Sequence, residues 1–199
     1  FTSDYWKDVL EVFLYSLGGI VALNVARLVV DKIILHKFST EKEIIEDQNS
    51  GAGVVEAAVY VAVGLIIAGS IAGEGGGIST VLVFFLLGLA TLVIYTLFYQ
   101  FTTPFNIHDE LEADNVAVGI ALAGNMLAVS FIIFKAVFGN FDGWSESLIG
   151  FVTFVVIVFA LLYVFRVIVD YILFPKVKLS EQIAVDRNLG LALIEGSIL

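Results

Sequence analysis

Residues 51–72 carry a single charged side chain, Glu56, in a stretch that is otherwise long and apolar enough to cross a lipid bilayer. A membrane helix needs roughly 20 such residues to traverse about 30 Å of hydrocarbon. Residues 9–35, 78–101, 116–138 and 148–174 meet the same requirement, and a further apolar run opens near Leu189. Lipid offers no hydrogen-bond partners, so a spanning segment must satisfy its own backbone as a helix or belong to a closed barrel. Barrel strands would show alternating segments of about ten residues, whereas these runs are continuous. Hydrophobic residues make up 59% of the chain and mean hydropathy is +0.99, against about 45–50% apolar residues in soluble domains. The fold class read from this pattern is an all-α polytopic membrane bundle, with five full spans and the start of a sixth. Its first partner is the lipid bilayer.

The connections set how the spans pair. Gly73-Glu74-Gly75-Gly76-Gly77 between the second and third spans is a tight turn, which makes an antiparallel hairpin. The odd-to-even linkers are longer, residues 37–50, 102–115 and 175–188, and mix acids with apolar residues as a short amphipathic interfacial helix would. Arg27, Lys32, Lys37, Lys42, Arg166, Lys176, Lys178 and Arg187 lie in or beside two of these linkers. The positive-inside rule then places the odd-to-even linkers in the cytoplasm and the N-terminus outside. Trp6 and Trp144 fit an outer aromatic belt. A chain that opens on Phe1 and stops inside an apolar run leaves room for a leader before it and further spans after Leu199.

A short polar signature recurs where linkers become spans. Asp47, Asn49, Gly51 and Glu56 return as Asp186, Asn188, Gly190 and Glu195 at a constant offset of 139 (186 − 47, 188 − 49, 190 − 51 and 195 − 56). Arg27 and Asp31 return as Arg166 and Asp170 at the same offset. A looser copy, Asp114-Asn115-Val116-Ala117-Val118-Gly119, lies between them, with its Asp directly beside its Asn. The repeating unit is therefore a two-helix hairpin. Residues 1–140 read as a first four-span unit of hairpins 1–75 and 76–140, and 141–199 as the first hairpin of a truncated second unit. All copies share one orientation, so the bundle is expected to be built from parallel repeats.

A span, a linker and then Asp-x-Asn-x-Gly/Ala-x-Gly/Ala opening the next span resembles the bacterial family catalogued as domain of unknown function 350. Its short members, the YjfL-like inner-membrane proteins, have four spans in two such hairpins. The resemblance covers nearly the whole chain and implies a multi-pass protein of the bacterial inner (plasma) membrane, here as a tandem duplication with its last spans absent. It implies no reaction.

Two sets of residues stand out chemically. Asp47, Asn49, Asp114, Asn115, Asp186 and Asn188 sit at the starts of even spans, where their side chains can cap free N–H groups or form an ion site at a positive helix end. Arg27 lies eight residues from the inner end of its span (35 − 27), about 12 Å deep, and Glu56 seven residues past Asn49 (56 − 49), about 10 Å deep. Their helices are antiparallel neighbours, so the two charges meet at matching depth. The middle copy has Val93 and Leu122 at the aligned positions, losing both charges together. That is what an ion pair demands, because a lone charge in hydrocarbon costs several kcal/mol. The expected intramembrane network is Arg27, Asp31 and Glu56, repeated as Arg166, Asp170 and Glu195.

The remaining polar residues say less. Asn24 and Asn125 are expected to hydrogen-bond between helices, and Lys135 to snorkel to the outer interface. His36 and His108 each stand alone in a linker, and the chain has no cysteine, so no metal site and no cofactor is expected. No nucleophile elbow, phosphate loop or zinc motif occurs, so the chain does not read as an enzyme. With a net charge of −10 it is not a nucleic-acid binder. Two functions stay open: proton or cation translocation through the buried clusters, or a non-catalytic membrane scaffold or accessory subunit with structural ion pairs and a docking surface for a cytoplasmic partner. A homo-oligomer is compatible with either.

Overall fold

The computed structural model describes residues 5–35, 40–73, 75–168 and 177–198. Among the described residues the helices run α1 (Tyr5–Ile34), α2 (Thr40–Ile45), α3 (Ser50–Ile71), α4 (Ile78–Thr102), α5 (Ile107–Glu112), α6 (Val116–Val137), α7 (Trp144–Ile168), α8 (Leu179–Ala184) and α9 (Leu189–Ile198). The order is long, short, long twice over, followed by long α7, short α8 and the ten residues of α9. α1, α3, α4, α6 and α7 are each long and apolar enough to cross a membrane. α1 and α7 begin four residues ahead of their apolar runs, at Tyr5 and Trp144. Backbone hydrogen bonding carries a helix past the point where hydropathy falls.

Lipid tails are as apolar as Leu, so helices in a bilayer associate through close packing and polar contacts and not by escaping water. The packing here is two rows deep. α3, α6 and α9 form an inner row, with α6 touching both neighbours. Small residues make that row possible: a Cβ on Gly119 would lie 2.6 Å from the Gly51 carbonyl oxygen, and one on Gly124 would lie 2.4 Å from the Gly196 Cα. At both crossings the helix backbones touch, which no larger side chain allows. α1, α4 and α7 form an outer row: α1 packs on α3 and α4, α4 on α3 and α6, and α7 on α6. Ring contacts also join α4 to α7, with centroids 6.1 Å apart for Phe84–Phe151, 4.8 Å for Tyr95–Phe159 and 6.0 Å for Phe98–Tyr163. Most large side chains of α1 and α7 are exposed, as suits surfaces facing lipid.

The connections sort to opposite ends. Gly73 approaches Gly139, and Gly75 approaches Phe141, so the even-to-odd turns lie together. At the other end, polar bonds join the first linker to the second and the second to the third, as described next.

Candidate functional site

The linker end is built on three asparagines. The Oδ1 atoms of Asn49, Asn115 and Asn188 accept from the N–H groups of Ala52, Val118 and Leu191, at 2.8, 3.4 and 3.2 Å. Each also folds back onto its own short helix. Asn49 Nδ2 donates to Glu43 Oε2 at 2.9 Å, Asn115 Nδ2 to Glu110 Oε2 at 2.8 Å, and Asn188 Nδ2 to Gln182 Oε1 at 3.3 Å. The residue ahead of each Asn takes up left-handed backbone, with φ of 54° at Gln48, 50° at Asp114 and 50° at Arg187. Such a residue ends a helix and turns the chain sharply. Asn49 and Asn115 then reach forward to the next short helix: Asn49 Nδ2 donates to the Leu111 carbonyl at 2.6 Å, and Asn115 Nδ2 to the Ala184 carbonyl at 2.8 Å. Asn49 and Asn115 are 4% and 0% exposed. Asn188 is half-buried.

The three aspartates of the signature behave differently from the asparagines. Asp114 stands in the left-handed position that Gln48 and Arg187 occupy in the other linkers, and its Oδ1 accepts from Gly51 N–H at 3.2 Å, so it caps α3 from the neighbouring linker. Asp47 and Asp186 are exposed. Asp47 lies 3.7 Å from Lys42, and Asp186 accepts from Gln182.

Within the span region, Arg27 on α1 points into α3. Its Nε donates to Glu56 Oε1 and lies 3.4 Å from Asp31 Oδ2, one turn further along α1. The Tyr60 ring centroid is 5.7 Å from the guanidinium carbon, a cation–π distance. Glu56 is 7% exposed, and Val55 and Val59 beside it on α3 are fully buried. Asp31 Oδ1 and Glu56 Oε2 are buried without a hydrogen-bond partner.

Arg166 on α7 meets the C-terminal end of α4. Its guanidinium donates to the Thr102 and Thr103 hydroxyls, both at 3.2 Å, and stacks 4.5 Å from the Tyr99 ring. Glu195 is 7% exposed, and both residues line a cavity of about 250 Å³ with Thr102, Tyr163 and Ser180. Arg166 and Glu195 therefore share a space in which the arginine is held by threonine hydroxyls. Asp170, His36 and Lys176 lie outside the described residues.

Two amide assignments from the sequence are corrected. Asn24 and Asn125 bond within their own helices, to the carbonyls of Ile20 and Ala121 at 2.8 and 2.9 Å. Asn24 is exposed and Asn125 buried, and in both cases the carbonyl four residues back is nearer than another helix. His108 contributes a tie that the sequence did not suggest: its Nε2 lies 2.7 Å from the Ile34 carbonyl at the end of α1, which Gln100 also reaches at 3.3 Å. Lys135 lies over Phe138 near the far end of α6, 5.7 Å from the ring centroid. Among the described residues no group of three His, Cys, Asp or Glu side chains could hold a metal.

Five long apolar helices carrying buried charge clusters define a multi-pass integral membrane protein. A sequence model of the family described as Domain of Unknown Function (DUF350) matches residues 2–71 and 75–199, and the chain belongs to that family. It is similar to a protein of Aquifex aeolicus (strain VF5) called "UPF0719 transmembrane protein", with 27% identity over 194 residues, covering 96% of this chain and 72% of the relative. No solved structure matches the chain.

Proposed function

We propose that this protein is a non-catalytic membrane scaffold, in which buried charges fix helix register and the linker end docks a partner. The observation that carries the reading is the use made of the linker asparagines: each caps a long helix and is tied to its own short helix, and Asn49 and Asn115 also hold the next short helix. Polar groups spent this way build a rigid platform. Glu46, Asp109, Glu112 and Glu181 are exposed on that platform, which suits a partner with a basic surface. The positive-inside rule supports a cytoplasmic platform and an external N-terminus, and the family resemblance supports the bacterial inner membrane. The offset of 139, together with linkers that end in matching caps, supports parallel repeats arising by duplication, with units at 1–140 and 141–199. Oligomerisation through the lipid-facing outer row is compatible with this arrangement.

A second reading, proton or cation translocation, is favoured by one specific observation. Arg27 is outnumbered by two carboxyl groups whose outer oxygens lack partners, and intramembrane acids mark ion paths in many transporters. Flux in proteoliposomes separates the two. The scaffold reading expects the parent, Glu56→Gln and Glu195→Gln to pass protons, sodium and potassium no faster than empty vesicles. A parent flux that disappears in either variant overturns it.

A further inference from the structure

The cluster of Arg27, Asp31 and Glu56 does not balance as ionised groups. One guanidinium faces two carboxyl groups, and a net charge of −1 in a membrane span is an arrangement that hydrocarbon surroundings penalise by several kcal/mol. The hydrogen bonds show the same deficit by another route. Arg27 Nε serves Glu56 Oε1 and Asp31 Oδ2, the inner oxygen of each carboxyl group. The outer oxygens, Asp31 Oδ1 and Glu56 Oε2, are both buried and both lack a donor. Both carboxyl groups bear on the same Arg27 Nε, so they are immediate neighbours. Two carboxylates cannot bond to one another, since each is acceptor-only. With one proton between them, one becomes a donor and the other its acceptor.

We infer that Asp31 and Glu56 share one proton, and that Arg27 clamps the resulting acid–carboxylate pair. A single proton brings the cluster to zero net charge and turns one of the two acceptor-only groups into a donor. Glu56 is 7% exposed, which puts its unpartnered oxygen where water cannot substitute for the missing donor. The Tyr60 ring covers the guanidinium from α3. Val93 and Leu122, the aligned pair of the middle copy, are apolar and buried, so the site belongs to charged copies. The proton is structural under the scaffold reading and becomes cargo only if the protein moves ions, so the inference stands under either.

Infrared difference spectroscopy on the protein in lipid nanodiscs at neutral pH tests it. The parent minus Glu56→Gln, and the parent minus Asp31→Asn, should each show the loss of one protonated-carboxyl carbonyl band, and that band should shift in D2O. Each single variant leaves one carboxylate matched to Arg27, so neither should retain it. If both difference spectra show only the loss of ionised carboxylate, the shared proton is wrong. A protonated-carboxyl band that appears only once sodium and potassium are removed would equally overturn it, assigning the site to a bound cation. Should Glu56→Gln fail to fold, Asp31→Asn decides alone, because Asp31 lies at the edge of the cluster with 15% of its side chain exposed.

Discussion

The two intramembrane arginines occupy matching places in the sequence and different places in the fold. Arg27 is held by carboxyl groups on two helices, Glu56 across the interface and Asp31 on its own turn. Arg166 is held by two threonine hydroxyls and an aromatic ring, beside a cavity that it shares with Glu195. Among the described residues, Arg27 thus meets two carboxyl groups, whereas Arg166 meets two hydroxyls in a cavity that Glu195 also lines. The difference teaches that depth along a helix is only half of an address: which neighbour a side chain meets depends also on rotation about the helix axis. α1 presents Arg27 to α3, whereas α7, seated on α4 by its aromatic contacts, presents Arg166 to the end of α4.

If that contrast is right, the two arginines should differ in worth. Arg27→Met leaves two carboxyl groups facing each other in a buried site and should cost about 3–5 kcal/mol, read as a large fall in unfolding midpoint in detergent. Arg166→Met removes the bonds to the Thr102 and Thr103 hydroxyls and the contact with the Tyr99 ring, and should cost about 1–3 kcal/mol. Equal losses would erase the comparison. A double-mutant cycle sharpens it: Arg27→Met with Glu56→Gln should show a coupling of about 1–3 kcal/mol, clearly larger than that for Arg166→Met with Thr103→Val. Thr103→Val takes one partner from Arg166 and should cost about 1 kcal/mol, with no effect on the Arg27 cluster. Smallest of all, Asp47→Asn breaks only an exposed contact with Lys42 and should change stability by less than about 0.5 kcal/mol. A larger effect would mean that the linker aspartates do more than the structure shows.

The spans were legible in the sequence because a bilayer imposes one requirement, about 20 apolar residues, and hydropathy reports it directly. Glu56 was legible as the partner of Arg27 because adjacent antiparallel helices bring equal depths together. The role of the Asn signature was only half visible. Capping could be read from residue type, but the second bond, from each Asn to Glu43, Glu110 or Gln182, could not. A clue was present: Glu43 and Gln182 stand at the same offset of 139 (182 − 43) as the rest of the repeat. The middle linker hid its register because it is one residue shorter there, which moves Asp114 into the left-handed position and frees its carboxylate to reach Gly51. Thr102, Thr103 and Tyr99 carried no sequence signal, since hydroxyls and rings at the end of an apolar run are common on any membrane helix.

The backbone contacts at Gly51–Gly119 and Gly124–Gly196 have a mechanical consequence. Where two helices interlock main chain against main chain, one cannot slide along the other without driving carbonyls into Cα atoms, so α3, α6 and α9 behave as a keel. Relative motion of the spans then falls to the outer row, and within it α1 is further pinned to α3 by Arg27 and Glu56.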